Sequence, residues 1–378
     1  MSHNTPVDVF PPGEFLREEI DARNWSQVDL AQIIGKSPAF VNELLSGKRG
    51  VTLETAQLLS DALGTSPELW MNLETAFRLS RSNAHDSRVV RRAKLYSKSP
   101  INEMTKRGWI RRSDDVVELE QEVLKFFEID SLDDEPSLFA AARKSTAYDE
   151  TTPAQLAWFY RTKKIAQTIN VAGKYRKELL ANKLSDIRAL AIAPEEIRKL
   201  PQLLSSIGIR LVVVEHLPKT KLDGAAFWLS DCEPVIAISM RYDRIDAFWH
   251  SFTHELAHIY SGDGQMIDSC LVGSDSQKSS EKPEIEQRAD KMACAFLIPP
   301  DELDSFILRV RPLYSKVRII QFANKIMLHP GIVIGQLQHR DEIGYQHSRE
   351  MLVKVRDIVT SAAITDGWGS IPESAERL

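Results

Sequence analysis

Cysteine is scarce in this sequence: Cys232, Cys270 and Cys294 are its three, and no two of them form a C-x-x-C pair. An odd count without paired spacing excludes a disulfide framework and offers no evident structural zinc ligand, which suits a reducing compartment. Long apolar runs are missing too: no stretch approaches the roughly eighteen residues that a membrane helix needs. The N-terminus lacks a basic segment followed by an apolar one, so no secretory signal is read. Positive charge is not in excess either, since forty-eight Lys and Arg face fifty-three Asp and Glu for a net charge of -5. Overall attraction to nucleic acid or anionic membrane is therefore absent, and any DNA contact must come from local charge. What is present is ordinary globular material: 378 residues, 43% hydrophobic and 27% charged, enough for two or three domains with separate cores. These features predict a cytoplasmic soluble protein with no membrane partner.

From residue 12 to 80, short amphipathic helical patterns alternate with turn signals. "GEFLREEIDARNW" places Phe15, Leu16 and Ile20 on one face. In "SQVDLAQIIGKSPAFVNELLSGKRG", Ser26 is a candidate N-cap, Val28, Leu30, Ala31 and Ile34 point inward, Gly35 breaks the helix and Ser37-Pro38 starts the next. Val41, Leu44 and Leu45 supply the buried side of that second helix, which leaves Ala39, Phe40 and Asn42 exposed near its start. Thr52 to Leu63 and Ser66 to Leu79 read as two further helices. Helix, tight turn, helix within a five-helix domain is the pattern of a DNA-binding module whose third helix enters the major groove.

"GEFLREEI", "SQVDLAQIIGKS" and "LLSGKRGVTLETAQLLSDALGTSPELWMNL" resemble the HigA-type antitoxin branch of the Xre repressors. The resemblance implies contact with double-stranded operator DNA, a homodimer and a toxin as a further protein partner. The residues placed at the DNA surface are Gln27, Lys36, Ser37, Ala39, Phe40, Asn42, Lys48 and Arg49. Phe40 departs from the small polar residue such repressors often carry there, which puts base readout at that position in doubt. The domain up to residue 80 is also poor in basic residues, although Lys36, Lys48 and Arg49 cluster around the third helix. A basic run from Arg81 to Arg112 follows; it touches phosphates, forms a solvated face or clasps the acidic stretch "DDVVELEQE" beyond it.

Between about 113 and 207 the period stays helical, with "PAQLAWFYRTKKIAQTI" the clearest element, and carries no recognisable chemistry. The pattern then changes. "GIRLVVVEHL", "DGAAFWLS" and "PVIAIS" are short, β-branched or aromatic, and punctuated by Gly and Pro, which predicts three strands. Gly224 to Leu229 is the candidate edge strand along which an extended peptide could pair its backbone.

"FTHELAHIY" follows these strands. His254 and His258 stand four residues apart, a little more than one helical turn, so a helix presents both to one metal ion. Glu255, beside the first, suits a general base that takes a proton from water activated by zinc. Two histidines on a solvated helix face remain the plainer alternative unless a third ligand exists. That ligand has an address: after a Gly/Ser/Asp-rich stretch, "PEIEQRADKMACAFLIPP" has helical spacing through Ile285, Ala289, Met292, Ala293 and Phe296, with Glu286 and Asp290 one turn apart. Glu286 completes a set of two histidines and one glutamate, and Asp290 is placed to accept a hydrogen bond from a ligating histidine.

"HELAH" followed by "E-x-x-A-D-x-x-A" and "FLIP" resembles the ImmA/IrrE family of zinc metallopeptidases, and the likeness reaches back through "TKLDGAAFWL". Asp290 replaces the commoner Asn and Met292 the commoner Phe. The resemblance implies Zn2+ as cofactor, an endopeptidase activity and a repressor or other regulatory protein as substrate, in a stress or mobile-element response.

Further features stay open. His250, four residues before His254, either extends a histidine stripe or packs elsewhere. Cys270 is either a fourth zinc ligand in a resting state or an inert loop cysteine. The polar connection from Gly262 to Lys282 is long enough to act as a lid. "FANKIMLHPGIVIGQL" lies on "LAQIIGKSPAFVNELL" without a gap, implying a second helix-turn-helix-like unit in which Leu328 stands for Lys36 and Ile334 for Asn42; an apolar outer face of that kind favours packing against the sheet or a protein partner over DNA.

The expected architecture is multidomain: an all-α five-helix helix-turn-helix domain over 1–82, a helical linker region over 83–193, and an α+β zincin-like domain over 194–378 with a small sheet and a helix-turn-helix-like subdomain. The expected function is a DNA-binding regulator fused to a zinc endopeptidase. The alternative is a repressor or antitoxin whose zinc domain is a sensor or structural module.

Overall fold

The computed structural model describes residues 10–81, 87–134, 151–263 and 284–367. The proposed lid, apart from its first two residues, and Cys270 lie outside the described residues. The chain divides into two units, Met1–Val90 and Arg91–Leu378.

The first unit contains helices α1 (Pro12–Ala22), α2 (Gln27–Ile33), α3 (Pro38–Leu45), α4 (Leu53–Leu63) and α5 (Pro67–Arg81). Ser26 and Asp29 form a reciprocal capping box at the start of α2, which satisfies two backbone donors that the helix leaves unpaired. Gly35 takes φ +65°, and the following amide, Lys36 N, donates to Ala31 O at 2.9 Å. That left-handed step reverses the chain cheaply only because glycine has no Cβ. Ser37 then caps α3 by accepting from Phe40 N at 3.2 Å. Leu30, Ala31, Ile34, Val41, Leu44 and Leu45 close over Leu16, Ile20, Leu59 and Trp70 to form the core. Two expected core residues are outside it: Phe15 is 38% exposed and Val28 49%. In α1 the buried stripe runs through Leu16 and Ile20, and Phe15 falls one helical step to its side; Val28 sits in the first turn of a seven-residue helix, ahead of the turn that faces the core.

The second unit is built around a four-stranded mixed sheet. Strands β1 (Arg210–Val213), β2 (Gly224–Trp228), β3 (Pro234–Ile238) and β4 (Ile364–Thr365) lie in the order β2-β3-β1-β4. β2 and β3 are antiparallel; β1 runs parallel to β3 and to β4. β2 is thus at one edge, as its sequence suggests. Alternate residues feed opposite faces, the two-residue period of a strand. Val212, Ala225, Phe227, Val235 and Ala237 join one apolar cluster, whereas Leu211, Val213, Ala226, Ile236 and Ile238 join another. Both faces are buried, which explains why these strands read as continuous apolar runs.

The first face is covered by α6 (Ser87–Lys98), α7 (Ile101–Lys106), α8 (Val116–Phe127) and α9 (Pro153–Thr168), through Leu95, Met104, Phe126, Trp158 and Phe159 among others. The segment read from the sequence as a linker therefore shares a core with the sheet. Its apolar positions are long-range partners of strands more than 40 residues away, a pairing that local periodicity does not report. Much of the basic run is used internally. Arg91 lies 3.8 Å from Glu120, Arg92 donates to Asp114 O at 2.6 Å, and Arg107 chelates the carbonyls of Glu215 and His216 at 2.7 and 2.8 Å. Arg91 and Arg92 thus reach the acidic stretch, as a clasp would.

On the other face lie α10 (Lys177–Ala189), α11 (Leu200–Ser206), α12 (Ile245–Ser261), α13 (Glu284–Leu297), α14 (Pro300–Val310), α15 (Lys316–Lys325), α16 (Pro330–His339) and α17 (Arg356–Ala362). α12 buries Phe248, Trp249, Phe252, Leu256 and Ile259 at helical spacing and stops at Gly262, φ +79°. In α13 the buried positions are Ala289, Ala293 and Leu297, and Ile285 is 41% exposed, outside the core where the spacing places it.

α15 and α16 reproduce the α2–α3 turn. Met327 stands where Gly35 stands, with φ +57°, Leu328 N donates to Ala323 O at 3.0 Å, and His329 Nδ1 caps α16 by accepting from Gly331 N at 3.1 Å. Its outer face is consumed by packing: Leu328 is 2% exposed and Ile334 fully buried. Glycines bring α16 against α12, since a Cβ at Gly335 would meet Asp246 Cβ at 2.6 Å and one at Gly331 would meet Ile245 Cγ2 at 2.8 Å. Among the described residues no helix is long and apolar enough to cross a membrane.

Candidate metal centre and nucleic-acid interface

In the first unit, Gln27, Ser37, Ala39, Asn42, Lys48 and Arg49 are exposed, while Lys36 and Phe40 are half-buried. Ser37 spends its hydroxyl on the α3 cap. Phe40 carries two cations: the Arg49 guanidinium lies 4.7 Å and the Lys36 ammonium 5.8 Å from its ring centroid. Each is also paired with an acid, Lys36 with Glu54 at 2.9 Å and Arg49 with Glu43 at 2.7 Å. The aromatic ring whose presence is odd for base readout thus positions the charge of this surface. Phosphates would have to exchange with Glu54 and Glu43 for these cations, pairs of low strength in water.

In the second unit, α12 and α13 bring His254, His258 and Glu286 together, with one donor atom from each within 4.8 Å of the others. His254 Nε2 lies 3.1 Å from Glu286 Oε2 and 3.1 Å from His258 Nε2, which is 3.7 Å from Glu286 Oε1. Donors held tetrahedrally at zinc bond lengths of 2.0–2.1 Å stand about 3.3 Å apart, so the set fits one such ion. Glu286 Oε1 is moreover buried without a hydrogen-bond partner among the described residues, as expected of an atom reserved for another bond. Asp290 Oδ1 lies 2.9 Å from His254 Nδ1 and orients the ring so that Nε2 faces the cluster.

Charge in the cluster is divided unevenly. Burial opposes protonation of His254, yet the Asp290 and Glu286 carboxylates hold its pKa up at about 10. Burial likewise opposes ionisation of Glu286, but the His254 and His258 rings beside it draw it down to about 2. Glu255 lies behind the cluster, 4% exposed, and burial pushes it up to about 7 despite the two histidines. Its Oε2 has no hydrogen-bond partner among the described residues.

His250 is not part of the cluster; its ring centroid is 6.3 Å from that of His254 and its side chain faces a neighbouring cavity. Sequence reasoning missed Asp263, which lies 3.7 Å from His258 Nδ1 and is gripped by Arg288 at 2.6 Å through both oxygens. Its only sequence signal is position, directly after the glycine that ends α12. Local spacing likewise gives no sign of Gly224, on the edge strand, where a Cβ would stand 2.9 Å from Glu255 Oε1.

Five helices with a capped tight turn between the second and third define a helix-turn-helix regulator. Residues 16–70 match the family described as Helix-turn-helix. An HTH-type transcriptional regulator of Escherichia coli K12, YddM, is 35% identical over 71 residues, 19% of this chain and 76% of that protein. The chain belongs to this helix-turn-helix family through its N-terminal unit. Virulence-associated protein I of Dichelobacter nodosus is 38% identical over 69 residues; the match spans 64% of its length and 18% of this chain. Among solved structures, an addiction module antidote protein of a HigA family from Coxiella burnetii is 32% identical and antitoxin GraA 38%. Each match covers 20% of this chain and 84% of the other, with a TM-score of 0.20.

Proposed function

We propose that this chain is a DNA-binding regulator carrying a zinc-dependent endopeptidase of the ImmA/IrrE type, with a zincin-like second unit. The observation that carries the peptidase reading is the convergence of His254, His258 and Glu286 with Glu255 buried and unpaired beside them. A merely structural zinc site needs no such carboxylate, and a buried acid without a partner is costly to keep. His254, His258 and Glu286 would hold Zn2+, which would supply a Lewis acid for the peptide carbonyl and lower the pKa of a water. Glu255 takes the proton from the attacking water and passes it to the leaving amine, a task for which its raised pKa is suited. β2, at the sheet edge, offers backbone groups to an extended polypeptide, and the resemblance of this unit points to a repressor or other regulatory protein as that polypeptide.

The first unit reads a two-fold operator as a homodimer, with α3 in the major groove and Lys48 and Arg49 on phosphates. A toxin partner is retained on the likeness of the N-terminal motifs to HigA-type antitoxins.

Expression of the wild type beside Glu255→Gln tests the reading. Both should hold about one zinc per chain, because a base and not a ligand is changed. Substrate proteins should disappear only with the wild type. Equal proteolysis by Glu255→Gln would overturn the mechanism. Full zinc retention by the His254→Ala, His258→Ala double variant would overturn the metal assignment. A stable proteome with zinc bound would leave a regulator whose metal unit is a sensor or a structural module.

A further inference from the structure

The two histidines of the cluster are supported differently. His254 is held across helices, with Asp290 of α13 at 2.9 Å from its Nδ1. His258 is fully buried, and its Nε2 is the nitrogen that meets the cluster, 3.1 Å from His254 Nε2 and 3.7 Å from Glu286 Oε1. Its Nδ1 therefore carries the ring proton whenever Nε2 is a ligand, and it has no hydrogen-bond partner among the described residues. Asp263 Oδ2 stands 3.7 Å from that nitrogen, just beyond hydrogen-bonding reach. Asp263 follows Gly262, whose left-handed φ of +79° turns the chain out of α12. Arg288 of α13 donates from Nη2 to both Asp263 oxygens at 2.6 Å, and among the described residues it pairs with no other acid. Arg288 lies two residues beyond Glu286. The helix that offers the third ligand thus also grips the acid beside the second histidine.

We infer that Asp263 and Arg288 are positioning residues for the metal: Arg288 holds Asp263 in place, and Asp263 accepts the Nδ1–H of His258 as Asp290 does that of His254. A ring drawn onto a cation through Nε2 is a stronger N–H donor, and a shift of about 0.8 Å closes the gap to an ordinary hydrogen bond. That bond fixes the tautomer and the orientation of the ring. The inference rests on the metal assignment made above and not on peptide cleavage.

The full-length chain, stripped of metal, is titrated with Zn2+ against a chelating dye. Asp263→Ala and Arg288→Met should each weaken zinc binding by about 10- to 100-fold, the range for partners that support a ligand without touching the metal. Because Arg288 acts only through Asp263, the double variant should lose no more than Asp263→Ala alone. Arg288→Lys keeps the charge and should recover part of the loss. The Nδ1 proton of His258, followed by proton–nitrogen NMR in the zinc-loaded protein, should move upfield and exchange faster in Asp263→Ala. The Arg288 side chain is 51% exposed, so Arg288→Met should unfold near the wild-type temperature without metal and carries the test if Asp263→Ala does not fold. Wild-type zinc affinity in Arg288→Met, additive losses in the double variant, or an Nδ1 signal unmoved by Asp263→Ala would each overturn the inference. A wild type that takes up no zinc would overturn the metal assignment itself. The expected zinc losses with no peptide cleaved would support the positioning role and overturn the peptidase reading alone.

Discussion

Gly224, the first residue of β2, faces Glu255 so closely that a Cβ there would stand 2.9 Å from Oε1 and 3.0 Å from Cγ. The backbone oxygen of Ala237 also lies 3.0 Å from that point. The proposed base is therefore held in place by the absence of a side chain. Gly224→Ala should leave zinc content unchanged and lower kcat/KM for peptide cleavage by about a hundredfold, the scale of a 1 Å misplacement of a reacting group. An undiminished rate would show that Glu255 relaxes freely or is not the base.

The Phe40 ring lies under two cations of the first unit, Arg49 and Lys36. Removing the ring in Phe40→Ala takes from Arg49 and Lys36 about 0.5–1 kcal/mol of cation–π attraction each and leaves them only their pairs with Glu43 and Glu54. Operator binding, followed by fluorescence anisotropy, should weaken by roughly 5- to 30-fold with little change in its salt dependence. Lys48→Ala with Arg49→Ala should instead reduce the slope of log K against log salt by about 1.8, because two phosphate contacts are lost. The reverse pattern would place the phosphate contacts elsewhere.

The second helix-turn-helix-like pair should not tolerate the residues of the first. Ile334 is fully buried, so Ile334→Asn introduces both a cavity and an unmatched amide and should destabilise the second unit by about 3 kcal/mol or more. Leu328→Lys, at a position 2% exposed, should be worse. Chemical denaturation measures both. A wild-type midpoint in either variant would mean that this face is not committed to packing.

Two histidines give the second unit a pH dependence. Burial lowers the pKa of His329, against the pull of Glu195, and that of His216, where Arg107, Arg241 and Arg356 add to burial and Glu215 opposes it. With folded values below the ordinary 6.5, the unfolded chain binds more protons in acid. Their contribution is present in full above pH 6.5 and falls as pH drops from there through the folded values. His329 also caps α16 through a ring nitrogen that must stay unprotonated. His329→Asn keeps a capping acceptor and should flatten part of this slope in urea unfolding between pH 5 and 8. An unchanged slope would assign the dependence to other groups.

Sequence by itself determined what local rules control. The capped turn at Gly35 and Ser37, the Leu30-Ala31-Ile34 stripe, the three principal strands, and the shared face of His254 and His258 follow from helical and strand periods and from which residues accept a left-handed step. The gapless likeness of the two helix-turn-helix pairs is local in the same sense, and the turn at Met327 repeats the one at Gly35. Tertiary structure alone decided the rest. The helices of 91–169 cover a sheet face because Trp158, Phe159 and their neighbours bury against strands distant in sequence, so a stretch without chemistry of its own is a structural layer. Gly224 against Glu255 and Asp263 beside His258 both join different elements. Periodicity specifies which face of an element is apolar; it does not specify which other element meets that face, because the pairing depends on the summed packing of the whole core.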